Sequence, residues 1–431
     1  MRLGRVAWVL ALLAGASAGP AAAQTGPRTC SVTSQNIYVR DVMQDLYLWY
    51  SAIPDVNAAS FPSPEAYLEA VRFRPLDSSF SYITSAASSD AFYSDSQFIG
   101  FGFSTLLSGS EMRVLQVFAD SPASEAGLAR GDHILEIDGR PVEALVASGE
   151  IAGAFGPSDV GASSEVLFRS RDGAERRERM TKRLVTIPTV SVTRVFEVDG
   201  RTVGYLFFRN FVRPSFAALD EAFASLAEAG VSELVLDLRY NGGGLVDVAV
   251  HLGSLIGGAL TAGQPFATYA HNDRNTFRNE TLRFEALDQP APVLSRLIAI
   301  TSRSSASASE LVINALKPFM PVVTVGDATY GKPVGQYLVR FCDKVLAPVS
   351  FSLRNANDEG DYFDGLPATC TAGDGIDAEL GDAAEASLAE AIHYIRHDAC
   401  SLPPEAARAM RARAAGSGLR AVGWQAILNA H

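Results

Sequence analysis

Apolar and polar positions along the chain change their period several times, and each change marks an element. Over residues 32–50 the apolar positions Ile37, Val42, Leu46, Trp49 and Tyr50 recur at helical spacing. Ser63-Pro64-Glu65-Ala66-Tyr67-Leu68 predicts a second helix, with a capping serine and proline in first position. The aromatic stripe Tyr38, Tyr47, Trp49 and Tyr50 reads as core packing. Residues 85–96, rich in Ser and Ala, read as a linker. Over 192–208 two strand-like runs meet at Asp199-Gly200, a hairpin signal. An amphipathic helix over 216–229 then closes at Gly230. Leu234-Val235-Leu236-Asp237-Leu238 and Arg296-Leu297-Ile298-Ala299-Ile300 are apolar runs of buried-strand length, and helices follow at 246–256 and from Glu310. Strands return over 334–353, with a turn near Cys342-Asp343, and terminal helices are predicted at 380–394 and 404–413. Strand alternating with helix predicts an α/β fold with crossover connections and some α+β elements.

Composition narrows the class. The 431 residues are 48% hydrophobic and 19% charged, an ordinary globular balance with length for two or three domains. Lysine and arginine total 36 against 48 aspartates and glutamates, a net charge of −12 that argues against nucleic acid as a partner. The six histidines are scattered and form no metal-ligand spacing, so neither a metal nor another cofactor is predicted. Arg2 and Arg5 precede a short apolar run, and Ala21-Ala22-Ala23 fits a cleavage site, so residues 1–23 read as a signal peptide. No other segment is long enough to span a bilayer, and a periplasmic or extracellular location follows. In such a compartment Cys30, Cys342, Cys370 and Cys400 are candidates for two disulfides. Three pairings are possible; nearness in sequence favours Cys342 with Cys370, leaving Cys30 with Cys400.

Chemistry concentrates where strands end. After the strand at 296–300 comes Ser305-Ala306-Ser307-Ala308-Ser309-Glu310, at a strand-to-helix turn, and Ser307-x-x-Glu310 has the form of a capping box. A hydroxyl there stands at a sheet end beside the positive end of a helix dipole, a suitable place for a nucleophile. Taken alone, the cluster could as well be serines capping a helix. A further apolar run ends at Gly326-Asp327, and Tyr330-Gly331-Lys332-Pro333 forms a turn with one lysine. Asp237-Leu238-Arg239-Tyr240-Asn241-Gly242-Gly243-Gly244 closes an earlier strand, and its glycines let backbone N–H groups approach an oxyanion.

Together these strings resemble the C-terminal processing (tail-specific) serine peptidases, which use a Ser-Lys dyad. The resemblance covers roughly residues 97–395 and is strongest over 234–336. It implies Ser307 as nucleophile, Lys332, 25 positions on, as general base, and Gln336 as the residue that supports the lysine. It also implies an oxyanion hole from Gly244, or the neighbouring Gly243, with the N–H of Ala308. Asp237 and Arg239 read as a pair that holds the loop. Pro333 stands where the family usually has glycine, which presses Lys332 toward extended geometry, and Tyr330 replaces a usual phenylalanine. The implied fold is a ClpP/crotonase-like α/β peptidase core.

Residues 97–182 resemble a PDZ domain through Ser121-Pro122-Ala123, the Ala126-Gly127-Leu128 turn and Gly131-Asp132-His133-Ile134. Ile99, Gly100, Phe101, Gly102 and Phe103 are then candidates to receive a peptide carboxylate and an added strand. The expected organisation is a signal peptide (1–23), a helical N-terminal domain (30–95), the PDZ-like domain (97–182), a catalytic domain (185–400) and a helical tail (401–431). Expected partners are polypeptides held by their C-terminal tails, with room for a homo-oligomer. Rival readings are a histidine mechanism through His251 or His271, a periplasmic scaffold in which only the PDZ-like module acts, and a non-catalytic binder of peptides or apolar ligands on the same fold.

Overall fold

The computed structural model describes residues 26–402, so the predicted signal peptide and the tail helix at 404–413 lie outside the described residues. The centre is a six-stranded sheet running Val190–Val198, Arg201–Phe208, Glu233–Asp237, Leu297–Thr301, Val322–Gly326 and Cys370–Thr371. The first pair is an antiparallel hairpin turned by Asp199 and Gly200, both at positive φ; the remaining pairings are parallel. Side-chain alternation explains why both faces are covered. Leu206, Phe208, Leu234, Leu236, Leu297 and Ala299 point to the side where helices Ser215–Glu228, Val246–Thr261 and Ala308–Leu316 pack. Tyr205, Phe207, Val235, Ile298 and Ile300 point to the other, covered by helix Ala386–His397. The four residues Ile298 to Thr301 are therefore buried without exception, as their near-continuous apolar run requires.

Three neighbouring parallel strands end on one edge, at Asp237, Thr301 and Gly326. The glycine-rich loop, the serine cluster and the lysine turn leave from those ends, which is where open α/β sheets place their chemistry. A four-stranded sheet of Thr281–Arg283, Pro265–His271, Val349–Arg354 and Val334–Gln336 stands beside that edge and carries Gln336.

The N-terminal region forms the predicted helices, Val32–Leu46 and Pro64–Val71, the second capped by Ser63, whose side chain accepts from the Ala66 N–H. The first stops at Leu46, before the aromatic stripe ends. This region does not stand apart. Its strand Tyr82–Ser85 pairs with Lys344–Ala347, and Tyr38, Val39, Tyr67 and Leu68 share a core with Val334, Phe341, Leu346 and Val349. The expected Ser/Ala linker is instead helix Ala86–Asp95, capped by Ser85 and ended by left-handed Ser96. Alanine's helix propensity and a good cap outweigh the serines there.

Residues 97–186 build their own sheet, from Phe103–Ser108, Glu111–Val117, His133–Ile137, Ser163–Arg169 and Glu175–Thr181, around Phe101, Phe103, Ile134, Val166 and Phe168. Gln97–Gly100 lies in a ladder with Arg183–Thr186, so Ile99 and Gly100 are strand residues; the turn is confined to Phe101 and Gly102.

The expected cysteine pairing is overturned. Cys30 joins Cys342 and Cys370 joins Cys400. Cys370 sits on the edge strand of the central sheet, beside the end of helix Ala386–His397, whereas Cys342 turns a hairpin packed on the N-terminal helices. Nearness in sequence did not mean nearness in space.

Candidate active site

Ser307 occupies the turn between strand Leu297–Thr301 and helix Ala308–Leu316, with φ 56° and ψ −114°. A non-glycine residue there is strained, and such strain persists only where the surroundings over-determine it. They do here. Ser305 Oγ donates to Leu238 O at 2.8 Å, Ser309 Oγ donates to Asn241 O at 2.8 Å, and the Ala306 N–H donates to Asn241 O at 3.1 Å. The flanking serines thus stitch the turn to the glycine-rich loop with their hydroxyls. Ser307 is only partly buried and lines a cleft with Tyr93, Gly244, Leu245, Leu311, Gln336 and Leu338.

Glu310 was legible only as a cap. Its fully buried carboxylate accepts the Ser307 N–H at 2.8 Å, the Lys332 N–H at 2.9 Å, the Gly331 N–H at 2.7 Å and the Thr329 hydroxyl at 2.5 Å. One oxygen, Oε2, holds both the Ser307 and the Lys332 peptides, so the serine turn and the lysine turn meet at a single atom. Burial pushes the carboxyl pKa up, against four donated hydrogen bonds that favour its charged form.

Lys332 is buried, and its Nζ donates to Gln336 Oε1 at 2.5 Å. Burial lowers its pKa to about 8; the negative charges of Asp77 and Glu310 act in the opposite direction. Gln336 is fixed in turn, its Nε2 donating to Phe80 O at 2.5 Å and to Ala347 O at 3.0 Å. The Pro333 carbonyl accepts from the Leu353 N–H, joining the lysine turn to the adjoining sheet. The Tyr330 hydroxyl finds Ser79 at 3.1 Å.

The glycine loop divides its duties. The Gly243 N–H donates to Asn241 Oδ1 at 2.8 Å and is committed. Phe211 bridges Gly243 O and the Leu245 N–H on either side of Gly244, and Gly244 lines the Ser307 cleft. Gly244 has φ 143°, and a Cβ there would lie 2.0 Å from Phe211 O. A Cβ on Gly243 would lie 2.7 Å from Ala306 O and 2.8 Å from Ala308 N and Ser307 Cβ. Ala308 opens its helix, where the first amides have no partner within the helix, and it lines the same cleft. Gly244 and Ala308 thus both line the Ser307 cleft, whereas the Gly243 amide is held by Asn241.

Asp237 and Arg239 pair as expected, at 2.8 Å, and Arg239 also grips Glu385 with two bonds of 2.7 and 2.8 Å. Arg130, from the 97–186 segment, donates to the Tyr240 hydroxyl at 2.7 Å and pairs with Asp374, so that segment buttresses the glycine loop. The two rival histidines, His251 and His271, are occupied elsewhere. His251 meets Asp220 at 2.7 Å and Glu285 at 3.4 Å, and His271 meets Asn279 at 3.0 Å and Tyr337 at 2.8 Å. In the 97–186 segment, Phe101 and Phe103 belong to the core, and Gly102 is needed because a Cβ would strike Ser121 at 2.1 Å.

The site thus combines a mixed α/β core with a serine at a strand-to-helix turn and a buried lysine of lowered pKa. The model of peptidase family S41 matches residues 202–361, and that of the peptidase S41 N-terminal domain matches residues 34–82. Over those two stretches the chain is similar to the S41 peptidases. It is similar to a carboxyl-terminal-processing protease of Synechocystis, 28% identical over 235 residues, covering 54% of this chain and 52% of that protein. The chain thus spans about half the length of the curated relatives it matches. Among solved structures, a protein of Bacteroides fragilis described as an S41 protease superposes with a TM-score of 0.68 at 25% identity, over 84% of this chain and 97% of that one. The photosystem II D1 C-terminal processing protease shares the fold, with a TM-score of 0.50 at 22% identity over 79% of this chain and 93% of its own.

Proposed function

We propose that this chain is an exported serine endopeptidase that cuts polypeptides near their C-termini. The observation that carries the reading is the Glu310 carboxylate holding the Ser307 and Lys332 peptides on one oxygen, with Lys332 buried and aimed by Gln336. Neutral Lys332 Nζ takes the proton from Ser307 Oγ as the Oγ–carbonyl bond forms. The Gly244 and Ala308 amides receive the oxyanion, each contributing about 3 kcal/mol by analogy with other acyl-transfer sites. Collapse breaks the C–N bond, and the lysine ammonium returns its proton to the leaving amine. Water, deprotonated by Lys332, then releases the acyl group and restores Ser307. Gln336 keeps the amine oriented without adding a charge that would raise its pKa.

Residues 99–103 are proposed to read a substrate's terminal carboxylate, and the four paired cysteines accord with export to an oxidising compartment. Hydrolysis of an unfolded polypeptide tests the reading. The wild-type protein should cut it, and Ser307→Ala and Lys332→Ala should each remove activity with the fold intact. The double variant should lose little more than either single one, because the pair acts as a unit. Full activity in Lys332→Ala would refute the dyad. Amidating the substrate C-terminus should slow cleavage; an unchanged rate would refute the carboxylate reading alone.

A further inference from the structure

Asp77 lies in the N-terminal region, far in sequence from the serine and the lysine, and is completely buried. Its Oδ1 accepts the Phe80 N–H and the Ser81 N–H, both at 2.9 Å; its Oδ2 accepts the Ser81 hydroxyl at 2.6 Å and the Tyr47 hydroxyl at 2.9 Å. Among the described residues no cation lies within ion-pair distance of it. Arg74, the nearest in sequence, pairs with Glu69 at 2.7 Å, and buried Arg72 is turned to Glu69 at 2.5 Å and to Ser81 O at 3.2 Å. A buried carboxylate without a counter-ion is costly, and four hydrogen bonds offset that cost.

The turn that Asp77 organises does more than close on itself. Phe80 O is the acceptor for Gln336 Nε2, and the Phe80 ring lies 5.8 Å from Lys332 Nζ. Ser81 Oγ also accepts the N–H of Val349, the residue that pairs with Gln336 in the adjoining sheet. A continuous set of contacts therefore runs from the Tyr47 hydroxyl through Asp77 and Phe80 O to Gln336 and Lys332.

We infer that Asp77 is a positioning residue for Lys332, acting through the 77–81 turn and Gln336, and that the N-terminal region is thereby part of the active site. The inference rests on the Ser-Lys reading above. The charged groups that face Lys332 are Asp77 from this turn and Glu310 from helix Ala308–Leu316. Tyr47, whose hydroxyl is held by Asp77 and accepts the Phe73 N–H, stays neutral. Removing the Asp77 charge leaves Lys332 with less opposing its desolvation, which favours the neutral amine at lower pH.

The test is Asp77→Asn in the full chain, with active sites counted by a fluorophosphonate burst. The expected result is at least a tenfold lower kcat per active site, a KM within twofold of wild type, and an acid limb of the kcat profile shifted to lower pH. A merely structural role would reduce the number of active sites and leave the limb in place; that outcome would overturn the inference. If Asp77→Asn does not fold, Tyr47→Phe removes one of the four donors and keeps the charge. It should lower kcat per site severalfold, and an unchanged kcat would overturn the inference. Lys332→Ala, run in parallel, separates the two readings. Activity in that variant sinks the dyad, whereas an inactive Lys332→Ala with an unmoved Asp77→Asn limb sinks only the role of Asp77.

Discussion

Lys332 shows at the scale of one residue how function is set against stability. A free lysine titrates near ~10.4, and burial brings this one to about 8. The unfolded chain therefore binds more protons than the folded one between those values, so stability rises with pH across that window. Below about pH 8 the buried amine costs about 3 kcal/mol on this arithmetic. Lys332→Met, which fills the same space without a charge, should raise the melting temperature at pH 7 while removing activity; thermal unfolding beside a peptidase assay checks both. His251→Ala and His271→Ala should leave the rate nearly unchanged, since their ring nitrogens are engaged away from Ser307. A hundredfold loss in either would return the mechanism to histidine. Ser307, Lys332 and Gln336 were legible because their spacing sits within one short stretch. Asp77 and Phe80 were not, because they reach Gln336 across about 256 residues and announce themselves by no local pattern.

At the scale of elements, the chain reads well where a pattern is local. The Asp199-Gly200 hairpin, the Ser63-capped helix and the buried strand at Leu297–Thr301 all follow from period and turn chemistry. The Ser/Ala stretch has a linker's composition, yet alanine's propensity and the Ser85 cap make it helix Ala86–Asp95. The glycine loop was recognisable as a loop, but the division of labour within it was not. Which amide is committed depends on the side-chain conformation of the adjoining Asn241 and on Phe211, which is folded in from outside the string. Gly243→Ala should therefore be severe although the Gly243 amide is not a free donor, because its methyl would press on the Ser307 and Ala308 backbone. A loss of at least a hundredfold in kcat with little change in melting temperature is expected, measured by steady-state kinetics and thermal unfolding. Near-normal kcat would show that the loop yields.

At the scale of the molecule, three regions converge on one sheet edge. The N-terminal helices share a core with the segment carrying Gln336, and the 97–186 segment supports the glycine loop through Arg130 and Tyr240. The disulfides follow the same plan. Cys30–Cys342 fastens the start of the described chain to the hairpin beyond the lysine turn, and Cys370–Cys400 fastens the last helix to the central sheet. Non-reducing peptide mapping should recover those two links, and four alkylatable thiols would contradict them. Opening Cys370–Cys400, with a sequence separation of 30, should cost roughly 3–4 kcal/mol on the chain-entropy model. The central claim, that Ser307 is a nucleophile driven by Lys332, is tested most directly by fluorophosphonate labelling across a pH series, with the modified peptide identified by mass spectrometry. The account predicts a single adduct on Ser307, forming at a rate that rises with pH through about 8 and vanishing in Lys332→Ala. An adduct on another residue, or labelling of Ser307 that is indifferent to pH and to Lys332, would contradict it.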